Sequence, residues 1–343
     1  MPNKPKLQDD FITLAHGNGG RYMRELIEHL FAHYLRNDNL DTNVDAARVP
    51  LDLQGDSLEL LMTTDGFTVE PLEFPGGNIG SLAVHGTVND LAVSGATPKY
   101  LTLNAFIEEG LAVAVLERIL AAMADACRDC GVAVVAGDTK VLRRGQGGGI
   151  YLATTGVGVR PRHLKLGLDQ VRADDKILVS GPVGDHGTAV MLAREQFGLR
   201  GDLQSDAACV LPITQALTQV PGLRFMRDPT RGGLATVAHE IARAAGVTIR
   251  LAEARVPVRG AVRAVCEMLG YDPYFLACEG RVVAALAPES AAAALQRLHD
   301  LGYSDAALIG EAQTGPARVV LETRLGGERI IEELEDDPLP RIC

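Results

Sequence analysis

A chain of 343 residues is long for one domain and suggests two. Apolar residues at 47%, aromatics at only 4%, no Trp and 37 Gly point to an α/β protein of Ala, Val and Leu with many close backbone approaches. A net charge of −11 argues against nonspecific nucleic-acid binding or an anionic membrane surface, but not against a nucleotide held by local donors and a metal.

The first residues (MPNKPKLQDD) lack the apolar core of a signal peptide, and no run of about 18 apolar residues occurs. Six cysteines (Cys127, Cys130, Cys209, Cys266, Cys278, Cys343) do not make a disulfide framework in a chain this long. A reduced, cytoplasmic protein is expected. LAHGNGG (14–20) reads as a glycine-rich turn before a helix whose stripe runs Met23, Leu26, Ile27, Leu30, Phe31, Tyr34 and Leu35. Residues 1–44 form this N-terminal segment.

A first α/β domain is expected over 45–160. Its strand Leu58–Thr64 ends at Asp65–Gly66, and the loop VEPLEFPGG opens on a small-residue helix near Gly80–Val93. A strand at Leu101–Ile107 precedes a helix over 111–130 with Leu116, Ile119, Leu120, Met123 and Cys127 on one face. Strand Val132–Ala136 ends in GDTK (137–140), and strand Ile150–Val159 closes this half.

The second half, 161–334, repeats these themes after a basic link near Arg160–Leu168. Strand Lys176–Ser180 runs into GPVGDHG and a helix to about Phe197; another helix is expected near Asp206–Gln219. MRDPTRGG (226–233) leads a helix to Ala245. Strand Arg281–Ala287, a helix from Glu289 to His299, and strands near Ala306–Ile309 and Val319–Glu322 follow. Two mixed α/β (α+β) halves are the inferred architecture.

Residues 335–343 are expected to be a flexible tail. Pro338 and Pro340 disfavour helix, the acids before them offer nothing to a core, and the stretch ends in Cys343. Glu335 to Cys343 can span up to about 30 Å, enough to carry a thiol into a cleft. Fraying with an incidental cysteine is the competing reading.

No Gly-Lys-Ser/Thr occurs, and no clean G-x-G-x-x-G opens a helix, so a P-loop kinase or ordinary dinucleotide fold is not expected. Instead five aspartates sit beside Gly, Asn or Thr in what read as strand ends or loops: Asp56, Asp65, Asp90, Asp138 and Asp228. Carboxylates from separate elements meet most readily around Mg²⁺, which takes hard oxygen ligands and shares them with phosphates. Each alone is equally well a cap or turn residue; the five together favour the metal. Gly76, Gly77, Asn78 and the helix start after them are expected to offer backbone donors to anionic oxygens. Cys127-x-x-Cys130 lacks a second ligand pair for zinc, and Cys127 continues an apolar stripe, so both read as core. His16 and His85 fit either a nucleotide contact or a local backbone hydrogen bond.

The strings LAHGNGGR, TTDGFTVEPLEFPGGNIG, AVHGTVNDLAVSGA, AGDTKV, MRDPTRGGL, ACEGR and the terminal PRIC resemble the HypE family of hydrogenase maturation factors, in order from about residue 13 to Cys343. The aspartate loops alone resemble the wider ATP-using superfamily of aminoimidazole ribonucleotide synthetase (PurM-like), selenophosphate synthetase and thiamine-monophosphate kinase. The resemblance implies two PurM-like domains, N-terminal domains pairing in a homodimer, and ATP with Mg²⁺ in the cleft. It implies ATP-dependent dehydration of a carbamoyl group on Cys343 to a thiocyanate, the cyanide source for nickel–iron hydrogenase. The carbamoyltransferase HypF is the implied donor and the HypC–HypD complex the implied acceptor.

The resemblance also implies Lys140 and Glu279 as base and charge partner, and Gly76, Gly77, Asn78, Asn89, Thr139 and Arg231 at the nucleotide. Lys140 is equally well a neutraliser of phosphate charge. Glu279, in the apolar stretch FLACEGRVV, is open to a raised pKa by burial or to a salt bridge with Arg281 or Arg231. Arg341 should help a Cys343 thiolate while the terminal carboxylate opposes it. Rival readings are a selenophosphate synthetase, which would carry a reactive Cys near the N-terminus, a thiamine-monophosphate kinase, which needs no terminal thiol, and a non-catalytic nucleotide-binding scaffold.

Overall fold

The computed structural model describes residues 10–13, 16, 25–38, 40, 57–195, 203–334 and 342–343. Residues 17–20, Asp56 and the tail residues 335–341 lie outside the described residues.

Strand β1 (Leu58–Phe67) is followed by helix α1 (Ile79–Val93), strand β2 (Thr97–Glu108), helix α2 (Val113–Cys130), and strands β3 (Ala133–Leu142) and β4 (Ile150–Pro161). The strands form one sheet in the order β1-β4-β2-β3. Only β2 and β3 run parallel, as a strand–helix–strand crossover through α2 requires. The expected stripe Leu116, Ile119, Leu120, Met123 and Cys127 is buried, with Cys130 beside it. Helix α1 is buried nearly all round, because its small residues let neighbours close on every side. Gly80 shows how close: a Cβ there would come within 2.2 Å of the Ile119 carbonyl oxygen on α2.

Two expectations are corrected in this half. GDTK does not end a strand; β3 runs through it, because its backbone pairs with β2 from Tyr100 to Glu108. Asp65 likewise lies within β1, opposite Thr154 of β4, and Asp90 lies within α1. These aspartates are therefore not loop residues.

The second half carries β5 (Lys176–Val179), α3 (Asp185–Glu195), α4 (Leu211–Thr218), β6 (Leu223–Arg227), α5 (Gly233–Ala245), β7 (Thr248–Ala252), α6 (Gly260–Leu269), β8 (Val283–Leu286), α7 (Pro288–Asp300), β9 (Ala307–Gln313), β10 (Arg318–Glu322) and β11 (Glu328–Ile331). Seven strands pair in the order β11-β10-β7-β9-β5-β8-β6. One core joins α5 to this sheet; another joins α4, α7 and the end of α1. The helix expected from Asp206 begins only at Leu211, because the Glu279 and Gly280 amides claim the Asp206 carboxylate and the Asn89 side chain claims Ala208 O and Val210 N. Short strands β6, β7 and β11 and helix α6 were not anticipated.

The first sheet's core extends across the halves. It takes in Val190 and Met191 of α3, Val262 and Cys266 of α6, and Ile342 of the tail. The opposite face of that sheet is uncovered: Leu60, Met62 (66% exposed) and Phe106 lie open on it. Among the described residues, no helix is long and apolar enough to cross a membrane.

Candidate active site

Alternation along β1 turns Thr63, Asp65 and Phe67 toward α1 and leaves Leu60, Met62 and Thr64 on the open face. On α1, Asp90 accepts a hydrogen bond from Thr63 Oγ1 at 2.9 Å. Asp228 follows the last residue of β6 and is buried. Glu279 lies in the loop before β8 at 2% exposure, with Oε1 unpartnered among the described residues. A salt bridge to Arg281 or Arg231 is not what holds it: Arg281 pairs with Asp185 and Asp206.

The electrostatics follow from four carboxyls on separate elements, Asp228 and Glu279 buried and Asp65 and Asp90 half-buried. Burial pushes the Asp228 carboxyl up to about 7, and Asp90 and Asp65 add to the rise. Burial likewise raises Asp90, against the Thr63 hydrogen bond. Burial and then Asp228, Asp206, Asp65 and Asp90 hold Glu279 far above the usual carboxylate range. Such a concentration of acid calls for cations. Beside it a cavity of about 330 Å³ is lined by Thr63, Asp90, Leu91, Phe225, Arg227 and Asp228, among others.

The tail enters this region. Ile342 is 3% exposed in the first core, and its carbonyl accepts from His186 Nε2 at 2.9 Å. The main-chain oxygen of Cys343 accepts from Thr68 N at 3.1 Å and Thr68 Oγ1 at 3.3 Å. Arg231 Nε donates to Cys343 Sγ at 3.3 Å. Burying an isoleucine is worth about 1.5–3 kcal/mol. Ordering two backbone residues costs about 1–2 kcal/mol each. Those two magnitudes nearly cancel, so the hydrogen bonds decide where the tail rests. Arg231 is the cation that donates to the sulfur, and Arg341 lies outside the described residues. Arg231 does not win: burial first, and then the neighbouring Glu279, push the thiol up to about 12.

Several expected residues are placed elsewhere. Asp138 and Lys140 pair with each other at 2.9 Å, and that pairing holds the Asp138 carboxyl below its usual range. They stand on β3, at the opposite edge of the sheet from β1, with Thr139 buried between them. Three strand spacings of about 4.8 Å separate those edges. The loop before α1 is also occupied. Asn78 Oδ1 accepts from Gly80 N and Ser81 N, and Ile79 N donates to Leu72 O, so these helix-start amides are not open to phosphate. Gly76 is glycine for another reason: at φ +93 a Cβ would meet Ser205 N at 2.8 Å. Asn89 acts as a bolt, donating to Ala208 O and Glu279 O and accepting from Val210 N. His16 takes the local reading, its Nδ1 accepting from Thr13 N at 3.1 Å.

Sequence reasoning missed His186, Ser205 and Asp206. Asp206 accepts from Glu279 N at 3.2 Å and Gly280 N at 3.3 Å. Gly280 must lack a side chain, since a Cβ would lie 1.9 Å from Asp206 O. Only the histidine in GPVGDHG carried a signal, as an ionisable residue at a glycine-flanked helix start.

Among the described residues, no three His, Cys, Asp or Glu side chains converge tightly enough to hold an ion alone. Asp65, Asp90 and Asp228 nevertheless fit Mg²⁺ in kind: hard, mutually repelling oxygens, with room beside them for phosphates and water to complete six ligands.

This geometry defines a two-half protein with an acidic cleft and a seated thiol. Residues 43–160 match the model of the N-terminal domain of AIR synthase related proteins, and 172–322 that of their C-terminal domain. The carbamoyl dehydratase HypE of Azotobacter vinelandii is 46% identical over 341 residues, covering 98% of each chain. A crystal structure of the hydrogenase maturation protein HypE in complex with ATP superposes with TM-score 0.91 at 43% identity, covering 96% of this chain and 99% of that one. A HypE–HypF complex matches with TM-score 0.77 at 40% identity, covering 91% of this chain and 99% of that one. The chain belongs to the carbamoyl dehydratase HypE family and is an enzyme of hydrogenase maturation. The rival readings as a selenophosphate synthetase, a thiamine-monophosphate kinase or a scaffold are not favoured.

Proposed function

We propose that Cys343 carries the substrate and that Glu279 and Arg231 act on it. The thiocarbamate R–S–C(=O)–NH₂ and ATP become R–S–C≡N, ADP and phosphate. The carbamoyl oxygen attacks the γ-phosphorus, and ADP leaves. The C–O bond then breaks with loss of phosphate; of the two nitrogen protons, one goes to the base and the other leaves on the phosphate as hydrogen phosphate. Positioning and charge stabilisation dominate the phosphoryl step; the elimination needs a base. Glu279, buried with an unpartnered oxygen near the thiol, suits that base. Arg231 suits orientation of the sulfur-bound group.

ATP is the phosphoryl donor in this reading; a HypE relative has been solved with it. Asp65, Asp90 and Asp228 would hold Mg²⁺, with Asp56 a further candidate outside the described residues. Bound there, Mg²⁺ would hold phosphate oxygens and offset the carboxylate repulsion that adds to burial in keeping Glu279 protonated. Asp138, Lys140 and Thr139 belong to the same reaction only if a second copy brings them. The uncovered face with Leu60, Met62 and Phe106 is the surface we assign to that homodimer. HypF is the proposed donor, since a relative is solved in complex with it, and HypC–HypD the proposed acceptor of cyanide. Six free cysteines suit work in the cytoplasm.

The observation that carries the proposal is the Cys343 sulfur seated between Arg231 and the Glu279 cluster. Mass spectrometry of the C-terminal peptide after incubation with the carbamoyl donor tests it. We expect a carbamoyl adduct on Cys343 that loses one water only with Mg-ATP. An unmodified Cys343 during continued ATP hydrolysis would overturn the reading.

A further inference from the structure

We infer that His186 is a positioning residue that latches the Cys343 tail in the cleft and ties its seating to the Glu279 loop. The proposal rests on the dehydratase reading for its consequence, but not for its geometry.

His186 is fully buried on α3, outside the carboxylate cluster, and its ring stands edge-on to Phe74 with centroids 5.4 Å apart. Both ring nitrogens are engaged. Nε2 meets the Ile342 carbonyl at 2.9 Å, and a carbonyl can only accept, so Nε2 carries the proton. Nδ1 lies 2.7 Å from Ser205 Oγ. Burial favours the neutral ring, so Nδ1 accepts the Ser205 hydroxyl proton. Ser205 Oγ in turn accepts from Ala207 N at 3.0 Å.

The next link leads to the reaction. Asp206, between Ser205 and Ala207, holds the Glu279 and Gly280 amides through its carboxylate. One end of this short segment therefore answers to the tail and the other to the proposed base. The segment is anchored beyond it as well, by Asn89 at Ala208 and Val210 and by Ser205 N to Pro75 O. A stiff segment held at these points transmits a shift where a loose loop would absorb it. When the tail leaves, Ile342 O departs, and the His186 Nε2 proton loses its partner in a buried site. That is a reason for the ring and Ser205 to rearrange.

Neither His186 nor Ser205 touches the carboxylates that would hold Mg-ATP. Their loss should show in the tail and in the chemical step, not in nucleotide binding.

His186→Phe keeps a ring against Phe74 and deletes both hydrogen bonds. His186→Gln keeps a donor for Ile342 O. Ser205→Ala keeps the latch and cuts the link. The readout is the rate at which a bulky maleimide alkylates Cys343, followed on the C-terminal peptide freed by a glutamate-specific protease. Single-turnover loss of water from the carbamoylated protein and ATP binding are measured alongside. In His186→Phe, alkylation should rise about tenfold, the worth of a lost hydrogen bond near the top of its usual range. His186→Gln should restore most of the protection. Ser205→Ala should leave alkylation within about twofold while dehydration slows about tenfold. Nucleotide affinity should stay unchanged in all three.

Unchanged alkylation in His186→Phe, or in His186→Leu should the former not fold, would overturn the latch. Dehydration at the parental rate in Ser205→Ala would overturn the link. If the parent itself fails to lose water with Mg-ATP, the dehydratase reading falls, while alkylation still decides the latch.

Discussion

At the scale of single residues, Asp228 is informative because its environment opposes its charge. Its pKa rises from 3.8 to about 7 in the ligand-free fold, chiefly by burial. The folded state then holds a proton that the unfolded chain releases near 3.8. The stability this provides is complete below that value and is lost as pH rises toward about 7. Replacing the carboxyl with an amide removes the loss. Asp228→Asn should therefore raise the melting temperature of the ligand-free protein by a few degrees at pH 8 and much less at pH 4.5. Differential scanning calorimetry at both values checks it; an equal effect at the two would contradict the burial account. Asp65, Asp90 and Asp228 stood out as candidates in the sequence because Gly, Asn or Thr lie near them. Asp206 was not, since its partners Glu279 and Gly280 lie far along the chain and nothing near it in sequence signals them.

At the scale of elements, Asn78 is a helix cap before it is anything else. It accepts from two α1 amides while Ser81 Oγ accepts from Asn78 N at 3.1 Å. The sequence motif PGGN suggested an anion cradle, but the same carboxamide that starts the helix fills the positions an anion would need. Asn78→Ala should cost about 1 kcal/mol of stability and lower the melting temperature by about 2–4 °C. Nucleotide affinity, measured by isothermal titration, should change by less than about threefold. A large affinity loss at unchanged stability would return Asn78 to the nucleotide. Long elements such as α1, α2 and β4 were legible from period and glycine punctuation. Short strands such as β6 and β11 were not, because their existence depends on pairing with β8 and β10. The run of β3 through GDTK has the same cause: pairing with β2 overrides a local turn signal.

At the scale of the whole molecule, one chain gathers Asp65, Asp90, Asp228, Glu279, Arg231 and Cys343 but leaves Asp138 and Lys140 across the sheet. Two copies joined through the open face would complete a shared site, and mixing tests this directly. Lys140→Ala and Cys343→Ala proteins, each inactive, should recover about a quarter of parental dehydration when mixed and re-equilibrated one to one. Half the dimers are then mixed, and each mixed dimer owns one intact site. No recovery would place the lysine and the cysteine in the same chain's site, or the lysine outside it.

The seated thiol has a consequence for timing. A sulfur held near pKa 12 is almost wholly protonated in neutral water, and so is a poor nucleophile where it rests. If Cys343 is the carrier proposed above, acceptance of the one-carbon cargo would belong to the sulfur away from this seat, and its conversion to the sulfur within it. Two places for one atom would give the cycle an order that neither place alone enforces: an empty carrier in its seat would stay inert, sheltered from stray oxidants and electrophiles.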